Sequence, residues 1–134
     1  MTKTTDVLIV GGGVAGLSAG VFTARHGLET TVVNDGESLL RRNGHLENVP
    51  GFPAGVNARQ FLDLLEEQAE EAGCAFHEGE VTQVAVDDEG FDVETAAGDQ
   101  FWADYVIAAT KNTVEYLRGI DGVGFVDRGK MYVD

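Results

Sequence analysis

Residues 6–20 read DVLIVGGGVAGLSAG, and the fold turns on them. After Asp6, the run Val7, Leu8, Ile9, Val10 is short, continuous and apolar, as expected of a central parallel strand buried on both faces. Three glycines follow. Beyond them Val14, Leu17, Val21 and Phe22 fall at helical spacing up to His26, and Gly27 stands where a helix C-terminus takes a glycine. A second β-branched run, ETTVVN at 29–34, completes strand–helix–strand within about thirty residues. The two strands are therefore expected to be parallel, joined by a right-handed crossover.

Between the first strand and the helix, Gly11, Gly13 and Gly16 satisfy GxGxxG in the context that gives the motif meaning. The first glycine permits a tight turn, and the second lets a pyrophosphate approach bare backbone. The third lets the helix pack close to the strand. The unpaired amides of the first helical turn, and the helix dipole, favour the negative charge of a phosphate. The ligand expected here is an adenine dinucleotide. An acidic residue should follow about 20 positions later to bond the ribose. The end of the second strand supplies Asn34, a neutral amide, with Asp35 next. No arginine occurs in VVNDGES to receive a 2′-phosphate, which favours NAD or FAD over NADP.

The remaining chain fits one domain spanning residues 1–134. Residues 35–57 are polar, hold four glycines and both prolines, and form a loop long enough to imply a task. A helix is expected over 58–72, with Phe61, Leu62, Leu64, Leu65 and Ala69 inward and Glu66, Glu67, Glu70 and Glu71 on a solvated face. Cys74 then opens a strand. Three short strands at 80–87, 90–96 and 100–103 make an antiparallel meander, followed by a buried strand at 105–110 and a last one at 131–133.

Charge and cysteine content narrow the function. Twenty-three acids against nine bases give a net charge of −14, with only three lysines. Such a surface repels nucleic acid and anionic membrane, so neither is an expected partner. It fits a salt-adapted, halophilic protein, because at about 1 M salt the Debye length shrinks to about 3 Å and screens the repulsion. The single cysteine excludes an internal disulfide and a CxxC pair within these residues, and no metal site is expected. No apolar run reaches 18 residues, and the N-terminus lacks a signal peptide's apolar core, so a cytoplasmic protein is expected.

Three segments beyond the glycine turn resemble the FAD domain of the thioredoxin-reductase-like pyridine nucleotide-disulfide oxidoreductases. They are LENVPGFP at 46–53, the helix ARQFLDLLEEQAEEAG that follows it, and YVIAAT at 105–110 after a meander. The resemblance implies an α/β, FAD-type Rossmann fold: a parallel sheet with helices and a three-stranded antiparallel β-meander. It implies FAD as cofactor. Gly11, Gly13, Val14, Ala15 and Gly16 would line the pyrophosphate, and Asn34 or Asp35 would meet the adenosine ribose. Val81 would lie near the adenine, Asn48 on the flavin side, and Ala109 and Thr110 along the dinucleotide.

The departures from the family are equally specific. Lys111 stands where the family's ATG turn has glycine, and the CxxC pair and a second GxGxxG are missing. GESLLRRNGHL replaces a glycine-rich approach to the flavin, leaving Arg41, Arg42 and His45 to face phosphate, flavin or water. The family's closing segment would fall after Asp134. The resemblance therefore implies a flavoprotein oxidoreductase passing electrons or hydride through FAD without a disulfide centre and without an assigned catalytic side chain. NAD(P)H or a partner reductase would be the electron donor. The alternative is a non-catalytic FAD- or NAD-binding module, a sensor or assembly subunit. A homo-oligomer covering an open sheet edge is also expected.

Overall fold

The structure, a computed structural model, describes residues 1–110 apart from Glu37 and Asp87. Lys111, the stretch after it and the strand expected at 131–133 lie outside the described residues. Six strands form one sheet: β1 (Thr2–Val10), β2 (Thr30–Asn34), β3 (Ala75–Glu78), β4 (Val81–Val86), β5 (Phe91–Thr95) and β6 (Gln100–Ala108). Their order is β3-β2-β1-β6-β5-β4, with β3, β2, β1 and β6 parallel and the β4–β5–β6 end antiparallel. The helices are α1 (Val14–Arg25) and α2 (Ala58–Ala72), and a short 3-10 turn covers Leu39–Arg42.

Both helices pack on one face of the parallel strands. Leu17 and Val21 of α1 and Leu62 and Ala69 of α2 join Val7, Ile9, Val32 and Cys74 in a single buried cluster. One inward assignment from helical spacing is corrected here: Leu64 is 50% exposed, because it lies on the flank of α2 turned away from the sheet, and Phe22 on α1 is 68% exposed. The ends of α2 follow local chemistry. Asn57 accepts from the amides of Arg59 and Gln60, and Gly73 ends the helix at φ 110°, a left-handed conformation natural to glycine.

Cys74 lies directly beyond that cap, as expected before a strand, and burial pushes its thiol pKa up. A raised thiol pKa favours the folded state below the unfolded value of 9.0, and that contribution is lost as pH climbs through the folded value. At pH 8, alkylation of Cys74 by iodoacetamide should run about 100-fold slower in the native protein than in denaturant. Equal rates would place the thiol at the surface.

The second face is covered by the meander. Leu8 and Val33 are buried with Val93, Phe101 and Ala103, flanked by Val10, Val81, Phe91 and Val106. The meander also closes against the β3 edge: His77 Nε2 lies 3.1 Å from Asp99 Oδ2, and the His77 ring meets Phe101 edge-on at 5.0 Å. The expected third meander strand and the expected buried strand prove to be one continuous strand, β6. The apparent break at Asp104 has a physical cause. Phe101 and Ala103 share a face with Leu8, whereas Ile107 packs with Val7 and Ile9, so strict alternation is interrupted between them. The neighbouring β1 changes phase at the paired level, where the amides of Asp6 and Val7 both donate to the Glu29 carbonyl, at 3.0 and 2.9 Å. One strand thus gives Phe101, Ala103 and Val106 to the meander-covered face and Ile107 to the helix-covered one.

Candidate functional site

The site forms where β1 and β2 end. The Gly11 amide donates to the Val33 carbonyl at 2.8 Å, extending the β1–β2 pairing into the glycine turn. Gly11 adopts φ 112°, and a Cβ there would lie 2.3 Å from the Ala109 carbonyl oxygen. Gly16 is more constrained still, since an added Cβ would stand 1.8 Å from the Gly11 carbonyl oxygen. These two positions supply the tight turn and the close helix–strand approach that the motif requires.

Gly13 caps α1 with no side-chain hydrogen bond, and no acid occupies the first turn. The amides of Val14, Ala15 and Gly16 precede the first possible intrahelical acceptor of their own, which leaves the positive end of the helix open to an anion. The glycine of the cap also keeps the approach bare; a Cβ on Gly13 would meet Ser38 Oγ at 3.4 Å.

Asn34 braces the turn from β2. Its Oδ1 accepts from the Gly12 amide at 3.2 Å, and its Nδ2 donates to the Gly36 carbonyl. Beside it lies a cleft of about 230 Å³, lined among others by Gly12, Asn34, Ser38, Arg41 and Glu66. Ser38 accepts from the Leu40 amide and starts the 3-10 turn, which brings Arg41 back toward the glycines. Arg41 bonds Asp63 of α2 at 2.6 Å, and Arg59 Nε donates to the Arg41 carbonyl at 3.2 Å, so two contacts dock this turn on α2.

The structure therefore brings Gly11, Gly13, Val14, Ala15, Gly16, Asn34 and Asp35 to one end of the sheet, with Ala109 and Thr110 following β6 alongside Gly11. The Ala109 amide donates to the Val10 carbonyl at 2.8 Å, fixing that approach. Val81 comes near through Gly79, whose amide donates to the Asn34 carbonyl at 2.9 Å, although Val81 itself packs on the second-face core. Asn48 is not in the cleft. It lines a separate open hollow of about 350 Å³ built from Glu47 to Pro53, in a loop closed by paired bonds between Leu46 and Val56. His45 stacks on Gly55 and Arg42 is exposed, and neither lines the cleft.

Ser38 and Glu66 were not expected at the site. Ser38 had a local signal, a serine opening a short helical turn, whereas Glu66 is one of four similar glutamates and only the fold singles it out. No cluster of three metal-ligating side chains occurs among the described residues.

A mixed six-stranded α/β sheet, with a glycine turn between β1 and α1 and a meander leading into β6, defines a Rossmann fold of the FAD type. Residues 5–129 match the pyridine nucleotide-disulphide oxidoreductase family, and the chain belongs to that family. It is 31% identical over 137 residues to the thioredoxin reductase of Aquifex aeolicus, covering 93% of this chain and 42% of that protein. It is 34% identical to the thioredoxin reductase of Treponema pallidum, covering 98% of this chain and 43% of that one. Among solved structures, the thioredoxin reductase of T. acidophilum superposes with TM-score 0.75 at 32% identity over 83% of this chain and 36% of that one. The thioredoxin reductase from Gloeobacter violaceus gives TM-score 0.75 at 28% identity, over 81% and 35%. The chain thus spans about two-fifths of the length of the relatives it matches. No helix among the described residues is long and apolar enough to cross a membrane.

Proposed function

We propose that this chain is the FAD-binding domain of a thioredoxin-reductase-like flavoprotein oxidoreductase. The observation that carries the reading is the uncapped start of α1, faced by a turn in which Gly11 and Gly16 leave no room for a Cβ. Such a cradle fits a diphosphate bridge, because the tight turn sets the first-turn amides and the helix dipole to meet its charge, and the side-chain-free cap at Gly13 keeps the approach bare.

In this reading Gly11, Gly13, Val14, Ala15 and Gly16 hold the diphosphate. The adenosine ribose meets Asp35 or the remaining lone pair of Asn34 Oδ1, with Val81 beside the adenine. Ala109 and Thr110 run along the dinucleotide, and Asn48 serves the flavin side. Bound FAD supplies hydride and electron transfer, and the protein contributes placement and electrostatics. The reductant is NAD(P)H or a partner reductase, and the sequence of 134 residues offers one buried cysteine and therefore no dithiol of its own.

Purified protein should be yellow, or become so on incubation with FAD, with one FAD bound per chain by absorbance after gel filtration. NAD should not displace it. Protein that takes up no FAD under conditions where it is folded overturns the assignment. Bleaching of bound flavin by NADH or NADPH without oxygen would separate a competent oxidoreductase domain from a module that only binds.

A further inference from the structure

We infer that Arg41 is a cofactor-binding residue, a guanidinium set by Asp63 to neutralise the diphosphate of the dinucleotide. The inference rests on the FAD reading above and adds to it a side-chain ligand from outside the glycine turn. Charge makes the need plain. A doubly anionic diphosphate must enter a protein of net charge −14, at a cleft that Glu66 also lines. Backbone amides carry only partial charges, so a full cation nearby changes the balance.

Among the described residues lining the cleft, Arg41 is the one base, and it shares that lining with Gly12 of the glycine turn. The 3-10 turn that carries it stands against Gly13, the N-cap of α1, through Ser38, which puts Arg41 on the same cleft as the glycine turn. Its neighbours are placed otherwise: Arg42 is exposed, His45 lies on Gly55, and Arg59 Nε is bound to the Arg41 carbonyl. The Arg41 side chain is only 24% exposed, and Asp63 takes one of its terminal nitrogens at 2.6 Å. A guanidinium has five N–H donors in a planar fork, more than a single carboxylate can take, and the Asp63 contact fixes its orientation. Asp63 is thus a positioning residue.

The test compares FAD, ADP and adenosine on the folded protein, following flavin fluorescence for FAD and competition for the other two. Wild type should prefer ADP to adenosine. Arg41→Ala should weaken FAD and ADP about 10- to 100-fold and leave adenosine unchanged, as expected for loss of one charge-assisted contact. Arg41→Lys should fall between, retaining charge without the fork, and Asp63→Asn should weaken FAD several-fold. Thermal melts verify folding, and if Arg41→Ala does not fold, Arg41→Lys and Asp63→Asn carry the comparison. Variants that bind FAD within twofold of a binding wild type overturn the role of Arg41 and leave the FAD reading standing. A folded wild type that binds neither FAD nor ADP removes both.

Discussion

Gly16→Ala should abolish FAD binding and destabilise the protein by about 3 kcal/mol or more, lowering Tm by roughly 10 °C. The new methyl would lie 1.8 Å from the Gly11 carbonyl oxygen, and its next neighbours are the Gly11 carbonyl carbon at 3.0 Å and Ile9 at 3.3 Å. The nearest obstacle is backbone, so no rotamer change relieves it. Either α1 lifts off β1 or the turn opens, and either movement takes the first-turn amides out of line. Gly20→Ala provides the control on the same helix. Its Cβ would meet the Cys74 sulfur at 3.0 Å, a side-chain atom able to shift, and alanine favours the helix by up to about 1 kcal/mol. That variant should stay within about 1 kcal/mol of wild type and keep its FAD. A Gly16→Ala protein that melts and binds like wild type would show that the close approach of α1 to the turn is not needed.

Leu8→Ala should cost about 3 kcal/mol, within the range of 2–5 for a buried leucine truncated to alanine. Leu8 is fully buried, between β2 and the meander, with Val33 on one side and Val93, Phe101 and Ala103 on the other. The cavity left behind cannot be filled by water, since its lining is apolar. Because β6 is shared, the loss should appear as one cooperative transition at lower denaturant rather than as separate melting of the meander. Leu64→Ala, half-exposed on α2, should change stability by less than about 1 kcal/mol. Equal effects of the two substitutions would contradict the assignment of the core.

How much of this was written in the chain depends on where the determining contacts lie. β1, α1 and β2 were legible because their signals are local: an apolar run, three glycines at fixed spacing and a β-branched run. α2 was legible for the same reason, from apolar residues and glutamates set at helical spacing. Leu64 was misplaced because helical spacing defines a stripe without saying how wide the covering surface is. β6 was split because the charged Asp104 interrupts the apolar run, and the phase change just beyond it is matched by the neighbouring β1. At the site, the glycine turn and Asn34 are sequence features, whereas the position of Arg41 beside them follows from bonds to Asp63 and Arg59 on α2. Absence of an arginine from VVNDGES therefore said little about which cation reaches the cleft.

The bracket that Asn34 forms between Gly12 and Gly36 exists in the protein alone. Much of the ordering entropy of the turn is thus met during folding, and a partner that docks there has less reorganisation left to drive. Association at such a preorganised mouth should be limited by encounter more than by rearrangement, so changes at Asn34 would slow capture as well as weaken retention.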